Sequence, residues 1–137
     1  MDLLAVAKDI ADRVEAAAAR AAAPVAVCVI DVHGNVVLQH RMNGAAAFSI
    51  ELSERKAYTS ALVRMRTADL LPLVQPGQAL FPLMTVAAGR FCAMGGGAPL
   101  TSAGEVVAGV GVSGGTVEQD VAILEAALQS HHKSIDG

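Results

Sequence analysis

Two glutamates three residues apart form the first group of side chains that could carry chemistry. Glu51 and Glu54 lie in a segment, residues 50–65, whose apolar positions recur at helical spacing. Residues three apart project from one face of a helix, so the two carboxylates could together hold a hard or borderline metal ion such as iron. Glu51 also precedes Arg55 by four residues, which is typical of a solvent-exposed helical ion pair. Lys56 is equally open to two interpretations, a binding or catalytic cation or an ordinary surface lysine.

Three further groups could bind a ligand. Arg41 and Asn43 follow a β-branched run, and strand ends commonly carry binding residues; an arginine there can pair with a carboxylate through two hydrogen bonds. The glycine run Gly95–Gly97 either lets a flat ligand approach the main chain or forms a bulge or turn at a strand end. The backbone N–H groups from Ser113 to Val117 begin a predicted helix and could receive a carboxylate.

A glycine motif near the end of the chain does not indicate a dinucleotide site. Gly109, Gly111 and Gly114 have the spacing G-x-G-x-x-G between a predicted strand and a predicted helix. That motif binds dinucleotides within a β-α-β unit, which needs a second parallel strand after the helix and an acidic residue to hold the ribose. No such strand follows here. We therefore expect these glycines to permit a tight turn and close packing.

The periodicity of apolar residues predicts the elements that position these groups. The first is a helix from Leu3, with Asp2 as its cap and Pro24 as its stop, and a hairpin of two strands follows within residues 25–41. Next come a helix over residues 50–65 with Ser49 as its cap, a short helix from Thr67 and a loop over residues 75–89. The segments RFCAM, GGGAPL and EVVAGVGV form two or three strands, and a last helix follows a capping box of Thr116 and Gln119. Hairpin connections favour an antiparallel sheet with helices on one or both faces. No linker or repeat divides the chain, so we expect one domain over residues 1–137.

Composition excludes several classes of partner. Of the 137 residues 53% are hydrophobic, and the net charge is −3 with no run of lysine and arginine, which argues against binding to nucleic acid or to an anionic membrane surface. The first helix is interrupted by charges and resembles neither a membrane span nor a signal peptide, so we expect a cytoplasmic protein. Cys28 and Cys92 lack the spacing of a metal or redox motif and are expected to be reduced, buried apolar residues.

Taken together, the motifs resemble those of the GlcG/HbpS family of haem-binding-like domains. The resemblance covers about residues 3–128. It is carried by the segments VAVCVIDVHGNVVLQHRMNGA, SIELSERKAYTSAL, GGGAPL and EVVAGVGVSGGTVEQD, in that order. It implies an α+β domain with a five-stranded antiparallel sheet flanked by helices, in a profilin-like architecture. It also implies assembly into homodimers and often octamers.

The resemblance also implies ligands. Some members bind haem or take part in its degradation, and others are associated with small organic acids. In one secreted branch a helical Glu-x-x-Glu is implicated in iron handling, and Glu51 and Glu54 occupy the matching positions. Two departures weaken a simple transfer. Asn43 replaces the usual aspartate. Phe91 stands about where that branch has a threonine proposed to meet haem iron, so an axial ligand would have to be another residue, such as a histidine or Tyr58.

Three functions therefore follow as hypotheses. The first is a haem or tetrapyrrole-binding protein with iron handling by Glu51 and Glu54, whose ligand occupies an apolar crevice between subunits with its propionates near Arg41 or a helix N-terminus. The second is an enzyme acting on a small organic acid, in which Arg41 or Lys56 fixes a carboxylate and Glu54 moves a proton. The third is a structural or regulatory oligomer without catalytic activity.

Overall fold

The computed structural model describes residues 1–136 and contains four helices and four strands. These are α1 (Leu3–Arg20), β1 (Ala26–Asp31), β2 (Val36–Arg41), α2 (Phe48–Val63), α3 (Thr67–Leu70), β3 (Gly97–Ser102), β4 (Glu105–Ser113) and α4 (Val117–Asp136), with short 3₁₀ turns at Leu71–Val74, Phe81–Thr85 and Ala87–Gly89. No helix in residues 1–136 has the combination of length and hydrophobicity that crossing a membrane requires.

The strands form one antiparallel sheet in the order β2-β1-β4-β3. The expectation of five strands was therefore wrong: the described chain has four. The segment RFCAM, which was expected to contribute a strand, pairs with no strand. Its backbone follows α2 instead, where the Cys92 N–H donates to the Thr59 hydroxyl at 2.7 Å.

The two faces of the sheet are covered differently, because alternate residues of each strand point to opposite sides. Val27 and Val29 of β1 and Val110 and Val112 of β4 face a large apolar core shared with α1 and α4. The alternate β1 residues belong to a smaller core beneath α2. Helix α2 lies on this second face, and four of its five exposed residues fall within its first two turns, residues 48–54.

Helix α2 packs unusually close to β4 because two glycines lie beneath it. A Cβ atom added at Gly109 would lie 2.2 Å from the Ala57 carbonyl oxygen, and one at Gly111 would lie 2.0 Å from that of Ser53. No side chain fits at either position. Close packing, the role predicted for Gly109 and Gly111 from the sequence, therefore explains both glycines.

Helix ends agree with the predicted caps in two of three places. The Asp2 carboxylate accepts from the Ala5 N–H at 3.1 Å, and Thr116 and Gln119 exchange hydrogen bonds as a capping box. Ser49 is not a cap. Helix α2 starts at Phe48, so Ser49 lies buried in its first turn, and the residue before the helix, Ala47, offers no side-chain hydrogen bond.

Helices α1 and α4 are joined by a polar cluster. The Asp9 carboxylate accepts from the Arg13 Nε at 2.9 Å and pairs with the His131 Nδ1 at 2.6 Å, while Arg13 also reaches the Ser130 hydroxyl. The hydrogen bond from Arg13, and after it the one from His131, holds the pKa of Asp9 below its usual value. His131 lies near the C-terminal end of α4 and is buried in this contact.

Acid is therefore expected to weaken the contact between α1 and α4. A carboxyl whose pKa is lower in the folded than in the unfolded state stabilises the fold fully above its ordinary pKa, about 4, and loses that contribution as the pH falls through the lower folded value. As the pH falls below about 4, the free energy of unfolding of the wild type should thus decline more steeply than that of Asp9→Asn. Urea unfolding at stepped pH measures both. The exposed neighbour gives the control Asp12→Asn, which should follow the wild type; parallel curves for wild type and Asp9→Asn would contradict the assignment.

Candidate functional site

A groove beside α2 gathers the two glutamates that the sequence singled out. It has a volume of about 570 Å³ and is lined by Ala47, Phe48, Ile50, Glu51, Glu54, Arg55 and Arg90. Glu51 and Glu54 are both exposed. The Glu51 carboxylate is also 3.7 Å from the Arg55 guanidinium, so the helical ion pair is present but loose. Neither carboxylate is locked by a short contact, and both remain accessible to a ligand.

Arg90 is a residue of this groove that sequence reasoning missed. Its Nη2 donates to the Tyr58 hydroxyl at 2.7 Å, and its guanidinium carbon lies 4.3 Å from the centre of the same ring. Tyr58 is buried and its ring also contacts Phe91, with centroids 5.6 Å apart. Arg90 follows a predicted loop without periodicity, so no pattern in the sequence signalled its partner. The contact holds a cation at the rim of the groove.

A second, adjoining groove extends the surface toward the 3₁₀ turns. It has a volume of about 440 Å³ and shares Glu51 and Arg55 with the first groove. Its other walls include Met84, Phe91 and Met94. The Glu51 and Arg55 side chains therefore form a polar boundary between two partly apolar depressions.

Lys56 lies away from these grooves. Its side chain is 1% exposed, and its Nζ donates to the Val112 carbonyl at 2.9 Å and to the Asp120 carboxylate at 3.3 Å. The other Asp120 oxygen accepts from the Gly115 N–H at 2.9 Å. This buried ion pair joins α2, β4 and the start of α4. The structure brings Glu54 and Glu51 together but does not bring Lys56 to them.

The glycine run is buried beside the same ion pair. A Cβ added at Gly95 would lie 2.8 Å from Val121, at Gly96 2.6 Å from the Val112 carbonyl oxygen, and at Gly97 2.7 Å from the Lys56 carbonyl oxygen. The space in front of each glycine is thus filled by the protein itself. Binding of a ligand by these three glycines stays a prediction.

Arg41, Asn43 and Ser113 lie at the end of the sheet where α2 begins. Ala26 stands opposite Arg41 on one side and Ser113 on the other, so β1 separates the two residues. The Arg41 Nη1 donates to the Ala45 carbonyl at 2.9 Å, which ties it to the loop before α2. Arg41 and Asn43 are exposed and Ser113 is buried. None of the three lines the α2 groove.

The thiols and carboxylates near α2 do not form a complete metal site. Burial, and after it the Glu54 carboxylate, raises the pKa of the Cys28 thiol to about 12, so Cys28 stays protonated. Both cysteines are free, and Cys92 is half-buried. No group of three or more His, Cys, Asp or Glu side chains within residues 1–136 could hold a metal ion. Any ion at Glu51 and Glu54 would need ligands from water, a bound molecule or another subunit.

Comparisons with known proteins agree on the family. Residues 3–129 match the family described as haem degrading protein HbpS-like. An uncharacterized 15.0 kDa protein from the dhaT-dhaS intergenic region of Citrobacter freundii is 43% identical over 125 residues, 91% of this chain and 88% of the relative. The crystal structure of Klebsiella pneumoniae protein ORFY has a TM-score of 0.90 at 36% identity, covering 94% of this chain and 89% of that one. The structure of a PduOC–haem complex has a TM-score of 0.86 at 34% identity, covering 90% and 89%. The chain therefore belongs to the HbpS-like family.

Proposed function

We propose that this protein binds haem, or a closely related tetrapyrrole, in the groove beside α2. The observation that carries the proposal is the composition of the groove: exposed apolar side chains lie beside two arginines. Phe48 is 62% and Ile50 39% exposed, although both are apolar. Haem combines a flat apolar ring with two carboxylates, so it suits a surface of this kind. The solved relative in complex with haem supports the same ligand.

The residues present fit the group in separate roles. Phe48 and Ile50 would cover the ring, and Arg90, held by Tyr58, would pair with a propionate. Haem would supply a redox-active iron in an apolar setting. Glu51 and Glu54 offer carboxylate oxygens, which suit iron outside the ring, and we propose iron handling as their role.

A second copy of the chain would complete the groove as a crevice. Several large apolar side chains in the segment that follows α2 are exposed: Leu71, Leu73, Leu80, Phe81, Val86 and Met94. Exposed apolar surface of this extent is typical of a contact with another protein surface. We propose homodimers, and octamers built from them, as the assembled form.

An enzyme acting on an organic acid is the second candidate, and the presence of both Arg90 and Glu54 in the lining of one groove favours it. Arg90 could fix a carboxylate there while Glu54 exchanges a proton with the substrate. Lys56, proposed from the sequence for this reaction, would act only if the buried pair with Asp120 opened.

Haem titration of the purified protein tests the first candidate. Wild type should give a saturable Soret shift that co-elutes with the protein on size exclusion. Arg90→Ala should weaken the affinity about 10- to 100-fold, because a charge-assisted hydrogen bond contributes about 1.5–3 kcal/mol. Arg64→Ala is the matched control: it removes an exposed guanidinium just after α2, outside the groove, and should leave the affinity unchanged.

Substitution of the two glutamates distinguishes iron binding from haem binding. The double variant Glu51→Ala/Glu54→Ala should no longer bind ferrous iron but should still bind haem. Glu105→Ala/Glu118→Ala, which removes two exposed glutamates elsewhere, should keep both. If haem elutes apart from an intact wild-type protein, haem binding is refuted, and a screen of small organic acids for turnover sensitive to Glu54→Gln tests the second candidate.

A further inference from the structure

A separate cavity lies at the other side of the sheet, between α1, α4 and the turn that joins β3 to β4. Its volume is about 430 Å³. Val6 and Leu100 contribute apolar walls, Thr101 and Ser102 contribute hydroxyl groups, and His131 lines it from α4. It shares no lining residue with the α2 groove. Nothing in the proposed haem site uses it.

His131 is fixed in this cavity by a carboxylate behind it. Its side chain is 6% exposed, and Nδ1 pairs with the Asp9 carboxylate at 2.6 Å. The other ring nitrogen, Nε2, has no hydrogen-bond partner within residues 1–136. Every fully buried side-chain nitrogen or oxygen of those residues does have a partner. Nε2 is therefore not fully buried, and the cavity that His131 lines is the space that it can reach.

The Asp9 contact decides what Nε2 can do. Arg13 pairs with Asp9 at 2.9 Å and keeps it ionised, so the carboxylate accepts the proton of Nδ1. In the neutral imidazole this leaves a lone pair on Nε2, which is then a hydrogen-bond acceptor. A histidine oriented by a carboxylate in this way is typical of binding and proton-transfer sites.

The surrounding charges limit the class of ligand. Asp9 lies behind the ring, and Asp136 lines the cavity beside His132, while Arg13 is already paired with Asp9. No lysine or arginine of residues 1–136 lines the cavity. Met1, which carries the α-ammonium group, lines it together with Asp136, whose carboxylate has the opposite charge, so the cavity presents no net positive charge to an anion. Metal ions are equally unsupported, because the described chain has no group of three metal-ligating side chains.

We propose that this cavity is a second binding site, for a small, neutral and mainly apolar molecule that donates one O–H or N–H hydrogen bond to the His131 Nε2. The apolar walls take the body of the molecule, and Nε2 selects for the donor. The site is independent of haem binding.

Phenol and benzene, two probes that differ in one hydroxyl group, test the proposal on the wild-type protein. In NMR titrations phenol should bind saturably, shifting the His131 ring nitrogens and the backbone signals of residues 100–103. Benzene should bind about three- to tenfold more weakly, since it lacks the hydrogen bond. Equal affinities for the two probes, or phenol shifts confined to other parts of the chain, would overturn the proposal.

A conservative variant identifies the acceptor. His131→Asn keeps an amide N–H near the position of Nδ1, where it can still donate to Asp9, but removes Nε2. Its phenol affinity should fall to that of benzene while its benzene affinity stays, which also shows that the cavity persists. A phenol affinity unchanged from wild type would refute Nε2 as the acceptor. Arg90→Ala should bind phenol normally, so failure of the haem site and failure of this site are distinguishable.

Discussion

Gly111→Ala is expected to destabilise the protein by about 3 kcal/mol, a large share of the stability of a domain of this size. The added methyl would lie 2.0 Å from the Ser53 carbonyl oxygen and 2.6 Å from the Ala57 nitrogen. Both are backbone atoms of α2, so no rotamer change relieves the clash and the whole helix must move outward. The shift also separates α2 from the small core below it, which contains Cys28 and Ile30. Equilibrium unfolding in urea measures the loss.

Gly77→Ala is the matched control. Gly77, unlike Gly111, has a positive φ, 87°, but an added Cβ there meets nothing within 4 Å. Gly77→Ala should therefore lower the free energy of unfolding only by the cost of placing an alanine at a positive φ, about 1 kcal/mol. If Gly111→Ala were no more destabilising than Gly77→Ala, that result would contradict the close contact between α2 and β4.

The same glycines show how far sequence reasoning reached. Rejecting the dinucleotide motif needed only the absence of a second parallel strand, which is visible in the order of elements. Which backbone atoms press on Gly109 and Gly111 is not visible there, because the contact joins residues more than 50 positions apart, Ala57 with Gly109 and Ser53 with Gly111. Local periodicity contains no information about such a contact.

The strand count failed for a related reason. RFCAM contains the aromatic and apolar residues that are common in strands, but a strand forms only where a partner edge is free to pair with it. Cys92 finds its hydrogen-bond partner on α2 through Thr59 instead. Pairing is a tertiary property, so the family resemblance and the pattern together overestimated the sheet by one strand.

The candidate site was predicted in part. Helical spacing correctly placed Glu51 and Glu54 on one face, because that spacing follows from local geometry alone. Arg90 and its partner Tyr58 are 32 positions apart and meet only through the path of the intervening loop. For Lys56 the sequence left two interpretations open: a lysine on a helix is usually exposed, and only the fold reveals Asp120 opposite it.

Lys56→Met should lower the free energy of unfolding by about 3–5 kcal/mol, the cost of leaving a buried charge without its partner. The Asp120 carboxylate would keep its hydrogen bond from the Gly115 N–H but lose its ion pair with the Lys56 ammonium group. Its side chain is only 4% exposed, so the remaining charge would be buried. The double variant Lys56→Met/Asp120→Asn should regain much of this loss, because the asparagine is neutral and can still accept from Gly115. Urea unfolding of the two single variants and the double variant measures the coupling energy.

The outcome of this cycle also decides between two roles for Lys56. A double variant that folds nearly as well as wild type retains Glu51, Glu54 and Arg90, so its haem affinity should be unchanged if the ion pair is purely structural. Loss of ligand binding or turnover in that folded variant would instead give Lys56 a direct role in the site. Strictly additive effects of the two single substitutions would contradict the pairing itself, since partners in a buried ion pair must couple.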